Sequence, residues 1–163
     1  MSDAIPTYLS LDEAAILAAQ LPGLAAYLAA NSGQQLAALR QASSDFDLAY
    51  PYQGAKYDPD QEMEFPRIDG DHIRDWDSTA NAAIVPAAVK RAVLHQADSI
   101  LDGGRENRLE GQHDGLASQQ VGSMSESYTA GTTPAGGGNA AGALCRRADM
   151  IAQRYRLRTG RML

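Results

Sequence analysis

The chain has 163 residues with a formal charge of −6, 44% of them hydrophobic and 21% charged, which suits one domain with appendages that buries a core without disulfides. Its single cysteine, Cys145, excludes an internal disulfide and reads as a small packing side chain rather than a nucleophile. No stretch reaches the roughly 20 apolar residues of a membrane span, and Met-Ser-Asp-Ala-Ile-Pro at the start lacks the basic region and apolar core of a secretory leader, so neither is expected.

In chain order, Ser10-Leu11-Asp12-Glu13 reads as a capping box, in which the Ser10 hydroxyl and the Glu13 carboxylate each accept the other residue's amide. Ala14, Leu17, Ala18 and Leu21 then share one helical face until Pro22-Gly23 breaks it. Leu24, Tyr27 and Leu28 predict a short second piece of helix, and Asn31-Ser32-Gly33 reads as a stop. A third helix is expected from about Gln34, with Leu36, Leu39, Ser43, Phe46 and Tyr50 on one face and Pro51 as its end. Residues 51–85 carry Pro51, Pro59, Pro66 and Trp76, with acids concentrated from Asp58 to Asp77, and read as a long ordered loop. A structureless loop of that length is uncommon inside a domain and points to function or an interface.

Val85-Pro86 opens the clearest helix, with proline where its missing amide is harmless. Val85, Val89, Val93, Ala97 and Ile100 line its face, Leu94 and Leu101 widen it, and Gly103-Gly104 ends it. Residues 104–115 are polar and glycine-rich. From Leu116 to Tyr128 the alternation of Val121, Ser123, Ser125 and Ser127 with Gly122, Met124 and Glu126 predicts a hairpin or edge strand. A Pro/Gly-rich tether over 132–138 leads to a last helix from about Ala140 to Arg156, with Leu144, Ala148, Ile151 and Tyr155 on one face. The expected fold class is mainly α: a helical bundle with a long ordered loop, a short β element and a C-terminal docking helix. The expected units are a bundle over 1–115 containing the acidic loop 51–85, a β-like element and tether over 116–138, and an arginine-rich helix and tail over 139–163.

That last segment is the strongest physical signal. Residues 144–163 hold Arg146, Arg147, Arg154, Arg156, Arg158 and Arg161 against Asp149 alone, a charge of +5 that leaves −11 for the rest. An acidic body with a basic end is built for an acidic partner, and arginine without lysine favours bidentate recognition of carboxylates or phosphates. Six arginines exceed what opposing a helix dipole requires.

Nothing assembles a catalytic site. His72, His95 and His113 lie far apart without zinc-ligand spacing. Asp69, Asp71, Asp75 and Asp77 fail the calcium-loop pattern, because the sixth and twelfth positions from Asp69 are Arg74 and Ala80 instead of glycine and glutamate. Gly136-Gly137-Gly138-Asn139-Ala140-Ala141 matches a dinucleotide fingerprint but has no following strand and no ribose-binding acid. No enzyme activity, cofactor or metal is expected.

One run of motifs resembles a family. Gly54-Ala55-Lys56-Tyr57-Asp58-Pro59-Asp60-Gln61, then Met63-Glu64-Phe65-Pro66-Arg67, then Val85-Pro86-Ala87-Ala88-Val89-Lys90-Arg91-Ala92-Val93, and later Val121-Gly122-Ser123-Met124-Ser125-Glu126-Ser127-Tyr128, resemble in this order the head–tail adaptor (connector) proteins of tailed bacteriophages, over about residues 8–130. Some of those proteins carry a DnaT-like single-stranded-DNA-binding label. The resemblance implies a structural protein of the virion neck, made in the host cytoplasm: a homo-oligomeric, dodecameric ring under the portal protein, joined to a downstream neck or tail protein, with double-stranded DNA passing through its lumen. The 68–84 loop and the glycine-rich lead to residue 140 depart from the short members. On this reading Arg146, Arg147, Ile151, Arg154, Tyr155, Arg158 and Arg161 dock on the portal, Tyr57, Asp58, Phe65, Arg67, Trp76, Met124 and Tyr128 contact neighbouring subunits, and removing 140–163 leaves a folded bundle. The alternative is a single-stranded-DNA-binding module that uses the arginine-rich tail. Against it stands the want of a stacking platform, since Tyr155 is the one aromatic among the arginines.

Overall fold

The computed structural model describes residues 6–69, 72–73, 76–79, 82–104, 106–107, 118–121, 124–127 and 143–157. Five helices, α1 (Leu11–Ala18), α2 (Ala25–Ala29), α3 (Ser32–Ala49), α4 (Ala87–Leu101) and α5 (Arg146–Tyr155), carry the core, and the class is mainly α as the periodicity predicts. α1 begins at the expected capping box: Glu13 donates its amide to the Ser10 hydroxyl at 3.2 Å, and Ser10 donates its own to the Glu13 carboxylate at 3.0 Å. Gly23 turns the chain toward α2 at a φ of +76°, which an L side chain resists, and a Cβ there would lie 3.3 Å from the Arg147 guanidinium. α3 starts earlier than expected. Asn31, read as a stop, is its N-cap in a second capping box, accepting the Gln34 amide at 3.0 Å while Gln34 Oε1 accepts the Asn31 amide at 3.1 Å.

α4 is the hub: α3 packs on it, α5 and α2 pack on it, and α1 touches both α3 and α4. The contact faces are rich in alanine (Ala14, Ala18, Ala38, Ala42, Ala92, Ala97, Ala148, Ala152, all buried), whose small side chains permit close helix packing. Where the helices leave room, aromatic rings fill it. Phe65 sits edge-on to Tyr8, Tyr52 and Tyr155, with centroids 6.2, 5.1 and 5.3 Å away, and Phe46 stacks on Tyr52 at 5.6 Å.

The described residues of the 51–85 segment include short strands. β1 (Ala55–Lys56), β2 (Arg67–Asp69) and β3 (His72–Ile73) form an antiparallel sheet in that order, and β4 (Trp76–Asp77) pairs with β5 (Ala82–Ala83). The expected hairpin is β6 (Ser118–Val121) against β7 (Met124–Ser127), with Gln119 opposite Glu126. No helix among the described residues is long and apolar enough to cross a membrane.

The C-terminal segment differs from its expected placement. α5 starts at Arg146, not near Ala140, and Leu144, Ala148 and Ala152 are part of the common core. The join is polar as well as apolar. Gln96, fully buried on α4, donates to Asp45 of α3 at 2.9 Å and to the Ala143 carbonyl at 2.8 Å, and accepts the Cys145 amide at 2.7 Å. α5 is therefore a wall of the bundle: its apolar face is buried on α4, and its arginines lie on the opposite, exposed side.

Candidate functional site

α5 has two faces. Ala148 and Ala152 are buried, with Ile151 and Tyr155 half-buried beside them, whereas Arg146, Arg147, Met150, Gln153, Arg154 and Arg156 are exposed. Arg146 and Arg147 occupy the first turn, where the helix dipole disfavours a cation, and only Arg154 lies in the last turn, where it is favoured. The first two therefore gain nothing from the helix dipole.

The side chains around these arginines decide which are available. Arg147 donates to the Pro22 carbonyl at 3.3 Å and lies over the α1–α2 turn. Burial, and secondly the Arg147 charge, pushes the pKa of the half-buried His95 imidazole below its ordinary value. Asp149, the acid of this segment, is engaged elsewhere: it accepts from the Tyr50 hydroxyl at 2.6 Å and from Gln153 at 2.7 Å. Burial, then the hydrogen bond to Asp149, pushes the Tyr50 hydroxyl up to about 12. Arg146 and Arg154 have no hydrogen-bond or ion-pair partner among the described residues.

Past the helix, the chain joins the segment after α3. Tyr52 and Arg156 form an antiparallel bridge, Gln53 donates its amide to the Tyr155 carbonyl at 2.8 Å, and Leu157 donates its amide to the Pro51 carbonyl at 2.7 Å. Gln53 Nε2 also donates to the Arg156 carbonyl at 2.9 Å. This short ladder lays the Arg156 guanidinium over the Tyr50 ring, 5.1 Å from its centroid. Sequence reasoning missed the pair because the two residues are over a hundred positions apart.

The other expected site residues separate into exposed and structural groups. Of the portal set, Arg146, Arg147 and Arg154 are exposed, Ile151 and Tyr155 pack against the core, and Arg158 and Arg161 lie outside the described residues. Of the inter-subunit set, Tyr57 and Trp76 are exposed at 43% and 42%. Asp58 closes a turn, accepting the Asp60 amide at 3.0 Å and the Gln61 amide at 3.1 Å through its carbonyl. Phe65 and Arg67 are buried within their own chain and are unavailable to a neighbour. Arg67 pairs with Glu64 and donates to the carbonyls of Gln53, Tyr52 and Gly54 at 2.8, 3.1 and 2.6 Å. Met124 lies on β7, and Tyr128 is outside the described residues. Among the described residues no group of three His, Cys, Asp or Glu side chains is placed to hold a metal.

A family model described as "Putative DnaT-like ssDNA binding protein" matches residues 2–160, so the chain belongs to that family. No curated protein and no solved structure matches the chain. The match overturns the head–tail adaptor reading and with it the portal, neck and virion expectations. The motifs behind that resemblance explain why it misled. Tyr57-Asp58-Pro59-Asp60-Gln61 is a self-bonded turn, Phe65-Pro66-Arg67 anchors the core, and Val85-Pro86 starts α4. Such residues specify a fold, and a fold is not a function.

Proposed function

We propose that this chain is a binding module for single-stranded DNA and not an enzyme, and that it meets the phosphate backbone through the exposed face of α5. The observation that carries the reading is the pairing state of the arginines: Asp149 is turned onto Tyr50 and Gln153, which leaves Arg146 and Arg154 exposed and uncompensated. The family description supports the same reading. Guanidinium groups make bidentate bonds to phosphate oxygens, and neutralising phosphates releases counterions. The acidic remainder of the chain repels the backbone, so the contact is confined to this face.

The test is fluorescence anisotropy of a labelled single strand against salt. The affinity of the native protein is expected to fall steeply as salt rises. Replacing Arg146→Ala and Arg154→Ala together should lower the log–log salt slope by about 1.4, roughly 0.7 per lost phosphate contact on a single strand. Binding that ignores salt and survives the double substitution unchanged overturns the proposal.

A further inference from the structure

The outer face of Arg156 has a chemistry that the phosphate-binding arginines lack. Its main chain is fixed on both sides by the ladder to residues 51–53, and its guanidinium lies over the Tyr50 ring at 5.1 Å. The ring is itself fixed by the bond from its hydroxyl to Asp149 at 2.6 Å. One face of the planar cation is thus covered by an aromatic ring, and the residue is exposed to solvent. A guanidinium plane held in this way is a stacking surface for a nucleobase, which every base satisfies through its π-face. Its order exists before any ligand arrives, so little rotamer freedom is lost on binding.

We infer that Arg156, laid over Tyr50, is a base-stacking platform beside the phosphate-binding face of α5, so that the protein senses bases as well as backbone. This rests on the single-stranded-DNA reading above and adds a contact that salt does not screen. The tyrosine beneath comes from the end of α3, so the platform exists only once α3 and α5 are packed together.

The experiment compares a labelled oligothymidylate with an abasic strand of the same length, using the native protein, Arg156→Lys and, as a control, Arg154→Lys. Lysine keeps the charge and removes the plane. The native protein should prefer the base-bearing strand by about tenfold, in the range one stacked base supplies. Arg156→Lys should lose that preference while its affinity for the abasic strand and its salt slope stay the same, and Arg154→Lys should retain it. Equal binding of both strands by the native protein overturns the platform and leaves the single-stranded-DNA reading standing. So does an Arg156→Lys variant that keeps its preference or weakens equally on both strands. Failure of the native protein to bind either strand sinks the underlying reading and the platform with it.

Discussion

Asp47 shows how a single side chain can tie three parts of the chain together at an electrostatic cost. It sits on α3, accepts from the Tyr8 hydroxyl, and accepts the Glu64 amide at 3.3 Å. The same tyrosine hydroxyl accepts the Phe65 amide at 3.1 Å, so the N-terminal segment, α3 and the 51–85 segment converge there. Burial pushes the Asp47 carboxyl up to about 6, the neighbouring Glu64 carboxylate adds to this, and the hydrogen bonds from Tyr8 and Glu64 oppose it. An unfolded aspartate titrates near 4, so between about pH 4 and 6 the folded state holds the extra proton and stability falls as pH rises through that window. Asp47→Asn removes this dependence. The stability of the native protein relative to the variant should shrink by roughly 1–2 kcal/mol between pH 4.5 and 7, after discounting for solvent screening. Thermal melts across that range check the sign, and a constant difference refutes the account.

At the scale of elements, α5 stays in the bundle through a small apolar face and one amide. Gln96 satisfies Asp45, Ala143 and Cys145 at once in a site without solvent exposure. Gln96→Leu keeps the volume but removes three hydrogen bonds at once, those to Asp45, the Ala143 carbonyl and the Cys145 amide. Each such bond contributes about 0.5–1.5 kcal/mol net, so chemical denaturation should show a loss of about 2–4 kcal/mol. A loss below 1 kcal/mol would mean that the three groups find other partners. The amphipathic pattern of α5 was legible in the sequence, because Leu144, Ala148, Ile151 and Tyr155 recur at helical spacing. The partner of that face was not, since one apolar stripe fits another helix of the same chain as well as a second protein. The helix start was misplaced because Asn139 before the alanines at 140 and 141 looks like a cap, whereas the actual N-cap, Cys145, makes no side-chain cap bond and leaves no signal in the sequence.

For the whole molecule, this placement reverses an expectation about truncation. Removing residues 143–163 would uncover α4 and take Leu144, Ala148 and Ala152 from the core and Tyr155 from the ring around Phe65. The shortened chain should lose its cooperative thermal transition, followed by circular dichroism, and not survive as a folded bundle. An unchanged transition would show that α5 is an appendage after all. The charge of −11 on residues 1–143 and of +5 on 144–163 is separable in sequence, but α5 shares one core with the helices before it.

The sequence by itself determined the mainly helical class, the capping box at Ser10, the helix opened by Pro86, the β6–β7 hairpin and the basic end, because each is set by residues within a few positions of one another. Its motif order also suggested a family role that the family match corrects, since motifs that build turns and cores carry no information about a ligand. Only the tertiary structure decided that α5 is a wall of the bundle, that Phe65 and Arg67 face inward, that Asp149 bonds Tyr50 and Gln153, and that Tyr50 lies under Arg156. These facts depend on contacts between residues tens of positions or more apart, and spacing along one chain does not encode which distant face closes against which.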